Sequence, residues 1–299
     1  MTAASAPALP AATFEPALGR RKLSGTLFYG ACLVAIAILL IALLLLLVDV
    51  VRQGLPWLDP EFLTGAPSRR PERAGILPAL LGSIEIALMV GVLAFPVGVA
   101  AAIYLTEYAR DSRLNRLLQT NISNLAGVPS ILYGVLGLAV FVRVVALGPT
   151  VLAAALTLTL LILPVVIIAS IEAIKAVPQP QREGAYALGA TRWQMVRRSV
   201  LPAAAPGIMT GIILAMARAI GEAAPLIVIG AATFVTFTPN PLSGQFTVLP
   251  IQILDWASRP QDDFHGLSAA TILVILALMF VLNGLALFVR ARLSRNIQW

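Results

Sequence analysis

Two charged residues lie inside a long apolar stretch of the sequence, where charge is costly. The stretch P-G-I-M-T-G-I-I-L-A-M-A-R-A-I-G-E-A-A-P-L-I-V holds Arg218 and, four residues later, Glu222. On a continuous helix this spacing places both side chains on one face. A charge near the middle of a bilayer costs about 2.5–3.5 kcal/mol on insertion scales, so such residues usually face the interior of a helix bundle. The planar fork of an Arg side chain donates two hydrogen bonds to two oxygens, which suits phosphate or another oxyanion.

The pair has two interpretations. In the first, Arg218 and Glu222 form a structural ion pair that holds helices together. In the second, Arg218 lines a solute path, and Glu222 orients the Arg218 side chain or tunes the electric field around it. Asn124, Ser130 and Tyr133, which lie on either side of Pro129, are weaker candidates for the same path. Polar contacts between packed helices explain these three residues equally well.

The composition places these residues in a membrane protein. The chain has 299 residues, of which 59% are hydrophobic and 12% charged, and its mean hydropathy is +0.91. A soluble domain is about half apolar and about a quarter charged. The single cysteine, Cys32, excludes a disulfide within the chain, and the single histidine, His265, excludes a metal site built from several histidines.

Six apolar stretches are long enough to cross a bilayer, and they predict an all-α integral membrane protein with six transmembrane helices. They cover residues 27–51, 77–105, 122–145, 150–174, 205–231 and 267–289. Fourteen of the 21 Lys and Arg residues fall in the two tails, the 2–3 loop and the 4–5 loop, and six fall on the other side. This bias predicts that both termini are cytoplasmic. The net charge of +7 then reflects topology and indicates no nucleic-acid binding.

The 4–5 loop contains a segment with strong local signals, E-G-A-Y-A-L-G-A-T-R-W-Q-M-V-R-R-S-V-L-P (183–202). The pattern predicts a helix that stops at Gly189 and a second helix capped by Thr191. We call these two helices and their turn the elbow. Its predicted surface mixes arginines with the apolar residues Ala185, Leu188, Trp193, Met195 and Val196. Such a surface fits either a groove in another protein or an anionic lipid surface.

The elbow resembles the EAA loop of importer permeases of the ATP-binding-cassette class. The resemblance rests on the spacing of Glu183, Ala185, Gly189, Leu201 and Pro202, with departures at Gly184, where the family has Ala, and at Ser199, where it has Ile. It implies a MetI-like ABC importer permease fold, in which the elbow docks on a separate ATPase subunit. It also implies that these five residues couple the chain to that ATPase.

The sequence has no ATPase motif of its own. Its two lysines, Lys22 and Lys175, do not belong to a G-x-x-x-x-G-K-[ST] phosphate loop. We therefore expect no cofactor in this chain, with ATP and Mg²⁺ bound by the partner ATPase.

Three further segments are similar to the phosphate-specific uptake permeases, in particular to their PstA-type subunit. They are L-A-G-V-P-S-I-L-Y-G (125–134), A-R-A-I-G-E-A-A-P-L (217–226) and T-V-L-P-I-Q-I-L-D-W (247–256). The resemblance implies roles for Arg218 and Glu222 in phosphate passage. It also implies a PstC-type second permease, two cytoplasmic ATPase subunits and an extracytoplasmic phosphate-binding protein as partners, and a place in the cell inner (plasma) membrane.

The predicted organisation comprises a disordered cytoplasmic tail (1–26), the first transmembrane helix with its outer loop (27–76), a permease core (77–290) with its cytoplasmic coupling loop (175–204), and a second cytoplasmic tail (291–299). The outer segment 247–256 is too short to span a membrane. Its apolar sequence predicts an interfacial or re-entrant helix anchored by Trp256.

Two alternative functions remain open. In the first, the same importer carries another oxyanion, such as molybdate or sulfate. In the second, the chain works without an ATPase, as a stand-alone secondary transporter or channel. An intramembrane enzyme is disfavoured, because the sequence has no G-x-S-x-G motif, no His cluster and no paired catalytic carboxylates.

Overall fold

The first helix carries the longest apolar run of the chain. A computed structural model describes residues 18–231, 234–237 and 244–294, and the chain divides into two compact units after Asp49. Helix α1 (Leu18–Gly54) begins before the predicted span at residue 27. The first 17 residues of the predicted disordered tail lie outside the described residues.

The regular structure of the second unit is helical wherever it is described. Its helices are α2 (Pro60–Thr64), α3 (Leu77–Ile103), α4 (Arg113–Ala126), α5 (Ser130–Gly137), α6 (Val151–Lys175), α7 (Gln179–Ala187), α8 (Arg192–Met195), α9 (Leu201–Ile220), α10 (Ala224–Ile229), α11 (Leu249–Ala257) and α12 (Asp262–Ser294). Helices α3, α5 and α8 each continue into a π-helical segment, respectively Tyr104–Tyr108, Leu138–Val144 and Val196–Val200. The last segment joins α8 to α9 in one continuous rod.

Five helical segments of the described chain are long and apolar enough to cross a membrane. They are Lys22–Trp57, Leu77–Tyr108, Val151–Lys175, Arg192–Ile220 and Asp262–Arg292. The segments Arg113–Ala126 and Ser130–Val144 meet at 101°, and they give a sixth span only if the bent pair counts as one.

The predicted third stretch, 122–145, therefore holds a sharp bend rather than one uninterrupted helix. The helix breaks at Gly127, Val128 and Pro129, because proline disfavours a helical conformation in the residue before it. The Tyr133 hydroxyl donates a hydrogen bond of 2.9 Å to the Leu125 carbonyl and so bridges the bend.

Helix α6 occupies the centre of the main apolar core, with α3 and α9 packed against it. Its start is fixed by Thr150, whose hydroxyl accepts a hydrogen bond of 3.3 Å from the Ala153 amide. Buried side chains recur on every turn from Val151 to Ile174. A span surrounded by other helices needs no polar face, so its sequence is apolar on all sides.

A second apolar cluster surrounds Trp256. The indole is fully buried, and its ring centroid lies 6.1 Å from that of Phe62 and 6.4 Å from that of Phe264. The short helix α11 matches the predicted segment, but the prediction of Trp256 as an interfacial anchor is wrong. The Leu249 amide at the start of α11 donates a buried hydrogen bond of 2.8 Å to Ser83 Oγ, which ties α11 to α3.

The close contact between α5 and α10 gives a first testable prediction. A Cβ atom on Gly134 would lie 2.7 Å from Pro225 Cα, so Gly134→Ala must push the two backbones apart. We expect the substitution to destabilise the protein by about 1–3 kcal/mol, as overpacking commonly does. Thermal unfolding of the purified protein measures this. Gly91→Ala is the matched control, because its Cβ would meet only the Phe95 ring at 3.5 Å, an ordinary contact. Equal midpoints for the two variants would contradict the prediction.

Candidate functional site

Arg218 lies in the last turn of α9, and its side chain is exposed on the surface of this chain. The helix ends at Ile220, and residues 221–223 form a break before α10 begins. The predicted continuous span 205–231 is therefore wrong. A cation in the last turn of a helix is favoured by the partial negative charge of the free carbonyl groups there.

Glu222 lies in this break rather than on α9. Its amide donates a hydrogen bond of 3.3 Å to the Ala219 carbonyl, and its side chain is half-buried. The predicted shared helical face is wrong, because Gly221 ends the helix between the two charges. Among the described residues, no ion pair joins Arg218 to Glu222, and the structure does not support the interpretation as a structural pair.

Helix α10, which follows the break, packs on α5, the helix that carries Tyr133. Tyr133 is buried, and its hydroxyl hydrogen is donated to the Leu125 carbonyl across the bend. The contact between Gly134 and Pro225 holds α5 against α10 at the same place. The break after α9 and the bend before α5 are thereby brought together. We call Arg218, Glu222 and Tyr133, with the two backbone breaks, the bend site.

The remaining predicted path residues lie on either side of the bend, on α5 and α4. Ser130 is half-buried in the first turn of α5, and Asn124 is exposed near the end of α4. The Asn124 carbonyl accepts a hydrogen bond of 3.1 Å from the Gly127 amide and so helps to form the bend.

The elbow has the local geometry expected from its sequence. Gly189 follows α7 with a φ of +76°, a left-handed conformation that favours glycine. Thr191 and Gln194 form a capping box: the Gln194 amide donates to the Thr191 hydroxyl at 3.3 Å, and the Thr191 amide donates to Gln194 Oε1 at 2.9 Å.

The elbow exposes large apolar side chains. Leu188 at its tip is 91% exposed, and Tyr186 and Trp193 are also exposed. Met195 and Val196 are buried, however, so their predicted place on the surface is wrong. Their side chains instead belong to the main core and attach the second arm of the elbow to it.

The predicted coupling residues are spread along the elbow and the start of α9. Glu183 is exposed on α7, and Ala185 is half-buried against the core. Leu201 is half-buried against the same core, and Pro202 is exposed in the first turn of α9.

Sequence reasoning missed one buried ion pair beneath the elbow. Arg182 Nη2 lies 2.9 Å from Glu107 Oε1, and the two side chains are only 14% and 8% exposed. The residues are 75 positions apart, so no local pattern pairs them. The available signal was a lone acid, Glu107, at the end of an apolar span.

The two glycines of the elbow give a second prediction. A Cβ atom on Gly184 or on Gly189 would meet no atom within 4 Å, so only backbone conformation separates the two positions. Gly184→Ala should stabilise α7 by about 0.5–1 kcal/mol. Gly189→Ala should destabilise the protein by about 1–2 kcal/mol, because its φ is positive. Thermal unfolding of the two variants measures the difference, and equal midpoints would contradict this account.

No group of three or more His, Cys, Asp or Glu side chains suited to a metal occurs in the part of the chain described.

Comparison with known proteins gives a family and several relatives. The family profile of the binding-protein-dependent transport system inner membrane component matches residues 94–295. The chain is 35% identical to the probable ABC transporter permease protein YqgH of Bacillus subtilis, over 74% of this chain and 75% of that protein. It is 34% identical to the phosphate transport system permease protein PstA 1 of Mycobacterium tuberculosis, over 74% and 72%. It is 31% identical to PstA of Haemophilus influenzae, over 88% and 92%.

Solved structures share the fold at lower identity. A bacterial ABC transporter that imports alginate matches with a TM-score of 0.63 at 14% identity, over 93% of this chain and 99% of the other. The inward-facing MetNI methionine transporter matches with a TM-score of 0.56 at 21% identity, over 75% and 98%.

Proposed function

Because this chain belongs to the family of binding-protein-dependent transport system inner membrane components, a family of ABC transporter permeases, we propose that it is the permease subunit of an ATP-driven importer of inorganic phosphate. The observation that carries the proposal is Arg218, an exposed guanidinium at the broken end of an apolar span, where the following helix α10 packs on α5. Two relatives named as phosphate permeases support this cargo.

The exposure of Arg218 bears on how a path would be built. A cation on an apolar helix is rarely left facing lipid, so the exposure of Arg218 on this chain supports the proposal of a neighbouring subunit. A second permease of the PstC type, placed against this face, would enclose the path between the two chains. Arg218 would then offer its hydrogen-bond donors to phosphate oxygens as the hydration shell is lost.

The energy for transport would come from two cytoplasmic ATPase subunits that bind ATP and Mg²⁺. The elbow supports this assignment, because its exposed apolar tip is held on a buried base. Aromatic and leucine side chains rimmed by arginines are suited to a protein groove. An extracytoplasmic phosphate-binding protein would deliver the cargo to the outer face of the permease pair.

Cargo identity is tested by uptake in cells that carry or lack this chain. Radiolabelled phosphate, sulfate and molybdate are supplied separately, with the ATPase gene intact or deleted. We expect phosphate uptake alone to need both this chain and the ATPase. A selective loss of sulfate or molybdate uptake would assign another oxyanion, and uptake without any ATPase would assign a stand-alone transporter.

A further inference from the structure

The buried ion pair beneath the elbow joins two parts of the chain that are not covalently adjacent. Glu107 lies in the π-helical last turn of the second span, Tyr104–Tyr108, and Arg182 lies in α7. Arg182 Nε and Nη2 donate to the same carboxylate oxygen of Glu107, at 3.2 and 2.9 Å. Both side chains are nearly buried, so water competes little for this contact.

Arg182 also bonds to the end of α6. Its Nη1 donates to the Val177 carbonyl at 2.6 Å, and its Nη2 donates to the Ile174 carbonyl at 2.9 Å. A guanidinium presents its donors in a fixed plane. Arg182, a residue of α7, therefore connects α7 by hydrogen bonds to the end of the second span and to the end of α6.

The second arm of the elbow meets the same turn of the second span. The Arg192 guanidinium lies over the Tyr108 ring, 5.0 Å from its centroid. Two consecutive residues of the second span therefore contact the two helices of the elbow: Glu107 contacts α7 through Arg182, and Tyr108 contacts α8 through Arg192.

These contacts matter because of how the elbow is connected. The chain itself joins the elbow to α6 on one side and, through the rod Arg192–Ile220, to α9 on the other. The second span has no such covalent connection. Its polar attachment to the elbow in the described structure comes from Glu107 and Tyr108.

We propose that Glu107 is a positioning residue for energy coupling: through Arg182 it makes α3 move together with the elbow when the ATPase moves. This inference rests on the proposed function. Helix α3 packs along the central helix α6, and Ser83 in α3 accepts the buried hydrogen bond from Leu249 of α11. Motion of α3 would therefore reach α6 and α11.

A purely structural role would lower the amount of assembled importer without changing the phosphate carried per ATP hydrolysed. A coupling role would leave the amount of assembled importer unchanged and would lower the phosphate carried per ATP hydrolysed. The test uses the complete importer, purified and reconstituted in proteoliposomes, with phosphate uptake and ATP hydrolysis measured on the same sample.

We expect Glu107→Gln, which keeps the shape of the side chain but removes its charge, to lower phosphate uptake per ATP by about tenfold, because the charge-assisted contact between the second span and the elbow is lost. Asp111→Asn is the matched control. Its partner Arg116 lies at 3.6 Å in an ion pair outside the coupling loop, whose Arg and Asp side chains are 73% and 90% exposed, so removal of the charge should leave the ratio unchanged. An unchanged ratio in Glu107→Gln would overturn the proposal.

A second measurement needs no transport. Spin labels at Arg110 and Ala187, both exposed, are introduced in a Cys32→Ser background, and their distance distribution is recorded in the assembled importer. The distribution should broaden in Glu107→Gln and, if that variant does not assemble, in Arg182→Lys, whose single ammonium cannot replace the guanidinium plane. Equal widths would overturn the proposal. Absence of phosphate uptake in the unmodified importer would instead refute the proposed cargo, and the distances would still test the role of Glu107.

Discussion

Arg218→Ala is expected to lower phosphate uptake by about a hundredfold, the loss typical of removing one partner of a desolvated, charge-assisted hydrogen bond. The guanidinium lies at the broken end of α9, and no ion pair to Glu222 holds it in the described structure. In the proposed path its donors would be available to a passing oxyanion, and alanine would remove all of them. The ATPase should remain bound, because the elbow lies at the opposite end of the rod Arg192–Ile220.

Initial rates of radiolabelled phosphate uptake, normalised to assembled importer, measure this effect. Arg218→Lys keeps the charge but loses the planar fork, and we expect it to be strongly impaired as well. Arg143→Ala is the control, because Arg143 is an exposed arginine outside the bend site. Rates like those of the unmodified protein in Arg218→Lys would exclude a bidentate role, and such rates in Arg218→Ala would exclude Arg218 from the path.

Leu188→Asp is expected to weaken binding of the ATPase by about thirtyfold or more, the scale of a central interface residue. Leu188 is the most exposed of the large apolar side chains at the tip of the elbow. An aspartate there would be buried without a partner in an apolar groove, while the fold of the elbow would be undisturbed because Leu188 packs against little of its own chain.

Co-purification of the ATPase with the tagged permease measures this binding, and ATP-driven uptake should fall with it. Leu58→Asp is the control, an equivalent change at an exposed leucine of the loop after the first span. Normal recovery of the ATPase with Leu188→Asp would place the docking surface elsewhere. Loss with both variants would indicate general damage to the assembly.

The sequence was sufficient to predict features that depend on local chemistry. The all-α, MetI-like permease fold and the membership of the permease family are confirmed. The elbow is the clearest case, since the helix stop at Gly189 and the cap at Thr191 each depend on residues within one turn. The cytoplasmic placement of both termini and the roles of the five coupling residues stay predictions.

Features that depend on tertiary packing or on a competing backbone signal were mispredicted. The apolar run after Glu222 concealed the helix end at Gly221. The preference of tryptophan for membrane interfaces failed at Trp256, because Phe62 and Phe264 enclose it. The ion pair between Glu107 and Arg182 joins distant segments, so a single sequence without structure could not reveal it.

The hydrogen bond from Tyr133 to Leu125 makes the bend between α4 and α5 a braced corner rather than a loose hinge. Helix α4 has 14 residues, so it extends about 21 Å from that corner. A rotation of α5 by about 10° would swing the far end of α4 through about 4 Å, more than the diameter of a water molecule. A slight tilt beside Arg218 would thus become a larger displacement at the far end of α4.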